Sequence, residues 1–178
     1  LPLDRLIAAH LASGLPATLA LRSTGGERRV AIDPADPHRV ADIRGLLGRS
    51  PGTHLFTGIY CVNPEVLELI PNGEVVSIVP AFAELARQGR LGALVVDDGH
   101  WLDLGDRDSY LAAHRNLALG PAIHPQARIA PGATVVRSVI GPGAWIEAGA
   151  RVVDSVVWPD THLGPQADLD HCIAAGPA

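Results

Sequence analysis

Leu3, Leu6, Ile7, His10 and Leu11 recur at helical spacing and the run stops at Gly14, which predicts an amphipathic helix over residues 3–13. An apolar stretch then predicts a strand over 17–22. Thr24-Gly25-Gly26 is a turn signal, and residues 29–32 read as the returning strand of a hairpin. Asp33-Pro34-Ala35-Asp36-Pro37 breaks the pattern before alternation resumes over 39–43. Residues 53–62 carry Leu55, Phe56, Ile59, Tyr60 and Val62, the composition of a buried strand, yet Gly58 in its middle has no side chain to pack. Asn63-Pro64 opens a short helix with Glu65 in its dipole-favoured first turn, and Pro71-Asn72-Gly73 closes it. Residues 78–88 form a second helix with Phe82, Leu85 and Ala86 on one face and Gly89 as its stop. A β run over 91–96, a turn at Asp97-Asp98-Gly99 and a return over 100–104 predict a hairpin, and Asp106 caps a last helix reaching Leu117. Helices interleaved with short apolar strands indicate an α/β layer with a mixed sheet.

After Gly120-Pro121 the periodicity changes. Units of six, six and five residues put Ile123, Ile140, Val157 and Ala174 in equivalent places seventeen apart. Pro125, Pro142 and Pro159 coincide in the same register, as do Ile129, Ile146 and Leu163, and Ala133, Ala150 and Ala167. One inward aliphatic residue per side, with small residues where the backbone turns, describes a triangular coil of stacked parallel strands. Three coils at a strand spacing of roughly 4.8 Å stand about 14 Å tall and leave strand edges at both ends, so a cover from the α/β part or another subunit is expected.

Composition narrows the function. The net charge is −5, every basic residue of the Lys+Arg class is arginine, and none cluster beyond Arg28-Arg29, so nucleic acid is not an expected partner. No apolar run has the length of a membrane span and no secretion signal opens the sequence, which gives a cytoplasmic expectation with no membrane partner. Cys61 and Cys172, far apart in apolar surroundings, suit reduced thiols rather than a disulfide or a metal knuckle. Neither methionine nor lysine occurs, and the sequence opens on Leu1, which reads as a truncated or processed product.

Phe56-Thr57-Gly58-Ile59-Tyr60, Asn63-Pro64-Glu65-Val66-Leu67 and His100-Trp101-Leu102-Asp103-Leu104-Gly105 followed by Tyr110-Leu111 resemble the C-terminal half of the sugar-phosphate nucleotidyltransferase catalytic domain. The coil pattern resembles the hexapeptide-repeat left-handed β-helix, and the order of the two, with Ser155-Val156-Val157-Trp158 near the end, looks most like the mannose-1-phosphate guanylyltransferase branch. The resemblance implies an α/β fold: the C-terminal portion of a mixed-sheet, Rossmann-like nucleotidyltransferase domain over residues 1–119, then a short left-handed parallel β-helix over 122–178. The implied reaction joins a nucleoside triphosphate, GTP favoured, to a sugar 1-phosphate, mannose 1-phosphate favoured. The sugar phosphate attacks the α-phosphorus in line and pyrophosphate leaves, chemistry that rests on positioning and charge neutralisation.

In that family Mg2+ is held by two aspartates, and Asp103 matches the second, at the end of the expected return strand. Gly58 matches the glycine that lets the strand backbone approach the sugar, with a ligand-free β-bulge as the equal alternative, and Thr57 is the candidate partner of a sugar hydroxyl. Trp101 is read as packing, and Asp97 and Asp98 as a solvated turn. The family's G-x-G-x-R phosphate loop, its first metal aspartate and its lysine do not occur here, and Arg44 is a weak substitute for the last. The chain alone is therefore expected to be inactive, with no catalytic residue assigned, and a homo-oligomer through the β-helix is compatible with it. Two alternatives stay open: a hexapeptide acyltransferase using His124, His162 or His171, and a non-catalytic assembly or regulatory subunit.

Overall fold

The computed structural model describes residues 2–117 and 120–176. Its contacts divide the chain into two units, Leu1–Trp101 and Leu102–Ala178. The expected boundary between 119 and 122 falls partly on residues 118–119, outside the described ones.

In the first unit, α1 (Leu3–Ser13) ends at Gly14, whose φ of 62° lies in the left-handed region. Strand β1 (Ala17–Arg22) is buried at all six positions because it is central. It pairs antiparallel with β4 (Leu55–Val62) on one side and parallel with β5 (Leu91–Val95) on the other. Strands β2 (Val30–Asp33) and β3 (Asp36–Ile43) form a hairpin, completing a mixed sheet of order β2-β3-β5-β1-β4.

Two expected hairpins are corrected. Residues 30–33 return along β3 and not along β1, so the tight turn is Pro34-Ala35 within the segment taken as a break, while Thr24-Gly25-Gly26 belongs to a longer connection. Residues 100–104 form no strand: β1 and β3 occupy both sides of β5. A 3₁₀ turn (Pro64–Leu69) follows β4, and α2 (Val79–Arg87) packs on β3 and β5. Phe82 is fully buried among Leu19, Leu21, Ile43 and Leu91, with Phe56 and Tyr60 edge-on to its ring. Buried His10 joins the layers: its Nδ1 lies 3.0 Å from Thr18 Oγ1 on β1, and its Nε2 3.1 Å from Asn63 Oδ1.

In the second unit, α3 (Arg107–Leu117) is capped by Asp106, whose carboxylate accepts from the Ser109 amide at 2.7 Å. Three three-stranded parallel sheets follow. They are β6 (Arg128–Ile129), β9 (Trp145–Ile146) and β12 (His162–Leu163); β7 (Thr134–Val136), β10 (Arg151–Val153) and β13 (Asp168–Asp170); and β8 (Val139–Ile140), β11 (Val156–Val157) and β14 (Ile173–Ala174). The strand registers repeat the seventeen-residue columns, with Ile129 opposite Ile146, Val135 opposite Val152 opposite Leu169, and Ile140 opposite Val157 opposite Ala174. These aliphatic residues make one narrow core around Ile146 and Val152, each with no exposed surface.

Polar groups follow the same register. The Ser138 hydroxyl accepts from the Ser155 amide at 3.0 Å, and the Ser155 hydroxyl from the Cys172 amide at 3.0 Å, so each coil satisfies a backbone donor of the next. Arg137, Asp154 and His171 all take positive φ at one corner, and Arg137 holds the Asp154 carboxylate at 2.6 Å, drawing its pKa below the usual aspartate value. Helix α3 lies against the outside of β8-β11-β14. The Trp158 indole donates to the Tyr110 hydroxyl at 3.1 Å, His171 meets Asp108 at 3.3 Å, and outward-facing Val156 is only 4% exposed. This helix covers a side face of the array, whereas the cover expected from the sequence was for the strand edges at its ends. No helix among the described residues is long and apolar enough to cross a membrane.

Candidate functional site

Strand β4 is irregular where the sequence placed its candidate residues. Opposite β1, Leu19 pairs with Tyr60 and Leu21 with Phe56, so Thr57, Gly58 and Ile59 bulge across from Ala20 alone. Gly58 sits at the apex with φ 81°, exposed, and a Cβ built there meets nothing within 4 Å. Thr57 stabilises the bulge from beneath: its buried hydroxyl donates to the Ala20 carbonyl at 2.8 Å and accepts from the Ile59 amide at 3.2 Å. That hydroxyl therefore acts on the backbone, holding the glycine in place. The Trp101 indole donates to the Thr57 carbonyl at 3.2 Å, so the first residue of the W-x-D-x-G element is tied to the bulge. The buried-strand reading of residues 53–62 is corrected accordingly: β4 is an edge strand, half open to solvent. Because space above Gly58 is free, Gly58→Ala meets only backbone strain, and urea unfolding should register a loss of about 1 kcal/mol.

The neighbouring turn at Asp97 and Asp98 is exposed, as expected, and is also held by specific hydrogen bonds. Arg22, 8% exposed, donates to the carbonyls of Val96, Asp97 and Asp98 at 2.9–3.2 Å. The Asp97 carboxylate accepts from the hydroxyl and amide of Ser23 at 2.6 and 2.9 Å, and these bonds lower its pKa from the ordinary 3.8. A carboxyl lowered by folding adds stability above its unfolded pKa and loses it as pH falls through the folded value. Ser23→Ala should accordingly leave a smaller drop in melting temperature between pH 5 and pH 3 than wild type shows, an effect of well under about 1 kcal/mol at this exposed site.

Asp103 belongs to the second unit, in an exposed segment outside any helix or strand and not at a strand end, which corrects the expected placement. Its carboxylate lies beside Gly105, where a built Cβ would stand 3.5 Å from Oδ1. Among the described residues it makes no hydrogen bond or ion pair, and no three His, Cys, Asp or Glu side chains converge as a protein-only metal site requires. An unengaged carboxylate still suits Mg2+, which commonly takes one or two carboxylates and fills its octahedron with phosphate oxygens and water. Arg44, at φ 56° in the exposed turn after β3, donates its amide to the Arg29 carbonyl.

The outer surface of β6-β9-β12 carries a group of which only His162 stood out in the sequence. Arg128, Trp145 and His162 occupy one column of the register. The Trp145 and His162 rings stack at 4.4 Å between centroids and 7° between planes, and Glu147 Oε1 holds His162 Nε2 at 2.5 Å. A depression of about 950 Å³ along this column is lined by Pro125, Arg128, Trp145, Asp160, Thr161 and His162, among others. Of the other coil histidines, His124 accepts from the Gln126 amide and His171 holds a corner.

Among curated proteins none matches the chain. Residues 114–175, about a third of the sequence, match the family described as GlmU-like, C-terminal hexapeptide, which agrees with the parallel coils.

Proposed function

We propose that this chain is the C-terminal part of a sugar-1-phosphate nucleotidyltransferase, with a Rossmann-like catalytic domain and a left-handed β-helix, of the mannose-1-phosphate guanylyltransferase branch. The observation that carries the reading is the bulge in β4: a glycine at φ 81°, open above, held by Thr57 from below and tied to the W-x-D-x-G element through Trp101. Gly58 would let a sugar approach the strand backbone without a Cβ between them. Thr57 serves that approach by fixing the bulge. Asp103 would hold Mg2+, which neutralises charge on the phosphates during the in-line displacement. The glycine-rich loop and the other metal aspartate that the reaction needs do not occur in these 178 residues and would come from elsewhere in the protein. Self-association through the coils is compatible with this reading. Pyrophosphate release by the full gene product, from GTP and mannose 1-phosphate and then from each other nucleotide and glucose 1-phosphate, is the test; no release with any pair would refute nucleotidyl transfer.

A second reading, acyl transfer on the coils, is favoured by one observation: Glu147 fixes His162 by its Nε2, the orientation a general base needs to present its other nitrogen. Acetyl-coenzyme A turnover lost in His162→Gln would support it.

A further inference from the structure

The geometry points to a binding site for a neutral hexopyranose on the outer face of β6-β9-β12, built on Trp145 and His162 with Arg128 and Asp160. The site is independent of the transferase reading, since it lies wholly on the coils and uses neither Gly58 nor Asp103.

Preorganisation is the first argument. Trp145 is 45% exposed on a flat strand surface, yet its ring is fixed in one orientation by the imidazole stacked on it, and that imidazole is fixed in turn by Glu147. Holding a large side chain still before a ligand arrives removes most of the ordering cost of binding. A solvated surface tryptophan would have no such support.

Charge selects the ligand class. Glu147 is hydrogen-bonded to His162, whereas Arg128 and Asp160 form no ion pair among the described residues. Asp160 takes φ 57° at the corner and sets its carboxylate tightly over Gly143. One unmatched cation and one unmatched carboxylate give a phosphate no net attraction. A sugar uses both, since each hydroxyl donates to the carboxylate or accepts from the guanidinium, and its C–H face lies against an aromatic ring.

Saturation-transfer NMR on the 178-residue chain with methyl α-mannopyranoside and methyl α-glucopyranoside tests this. A ligand of so few atoms should bind saturably at about millimolar concentration. Trp145→Ala should weaken binding roughly tenfold. Asp160→Asn, which keeps a residue tolerant of the left-handed corner, should weaken it with circular dichroism unchanged, so loss of binding is separable from loss of fold. Glu74→Gln, at an exposed position outside both proposed sites, should bind as wild type. Absence of saturable binding to either glycoside overturns the proposal. So does binding that survives both coil substitutions, or a response to GTP or acetyl-coenzyme A alone that Trp145→Ala abolishes.

Discussion

Ile146→Asp should unfold the coil array while leaving the first unit folded. Ile146 has no exposed surface and stands at the centre of the narrow core, between Ile129 in the coil before and Leu163 in the coil after. Its removal forfeits about 1.5–3 kcal/mol of apolar burial, and an unpartnered carboxylate in that position costs several kcal/mol more. The core around it is thin, comprising Ile140, Ala144, Ala150, Val152, Val157 and Leu163 as its other buried members, so there is nowhere for the charge to turn. Each coil rests on its neighbours and loss of the middle one exposes both, as expected of a one-dimensional stack. The tryptophans make the outcome measurable: Trp145 and Trp158 report on the array, whereas Trp101 reports on the β4 bulge. In urea the Trp145 and Trp158 signal should already be that of unfolded chain at low denaturant. Ile146→Val, which keeps the shape, should cost only about 1 kcal/mol. A wild-type unfolding curve for the aspartate variant would contradict the inward placement of this column.

Asp103→Ala should lower pyrophosphate release by the full gene product by about 10²–10³-fold, the range seen when one electrostatic contact to a developing charge is removed. Asp103→Asn keeps the shape of the side chain and removes its charge, so it should lose most of the same activity and raise the Mg2+ concentration needed for half-maximal rate. Fold stability should hardly change in either variant, because the carboxylate is exposed and makes no bond within the described residues. Full activity in both variants, with wild type active, would remove Asp103 from the metal site while leaving nucleotidyl transfer intact. The two conclusions are thus separable.

The array was legible in the sequence because its information is local and repeated: Ile129, Ile146 and Leu163 name the same position three times. Helices α1 and α3 were legible for a related reason, since Gly14 and Asp106 mark their ends with specific backbone chemistry. Strand pairing was not. Residues 30–33 look like the return of β1, yet β1 pairs with β4 and β5, the latter some seventy residues later, and no nearby signal records that choice. The segment 100–104 alternates like a strand, but β5 already has a neighbour on each side. Gly58 stood out from the sequence, whereas the role of Thr57 depended on the bulge that places its hydroxyl under Ala20. Trp145 and its stacking on His162 were hidden because outward columns repeat place without repeating residue type. Adding seventeen to 145 was the available signal, and it pairs the two rings.

The serine-to-amide bonds and the left-handed corners at Arg137, Asp154 and His171 bear on how such an array can change in length. Ser138 and Ser155 pass the same hydroxyl bond from coil to coil, and all three coils repeat the same corner and the same inward columns. A duplication of seventeen residues would therefore add one floor to the tower, raising it by roughly the 4.8 Å spacing of paired strands. An insertion of any other size within a coil would turn inward residues to the outside for every storey above it. Growth of this part of the molecule is quantised, and its height is a whole number.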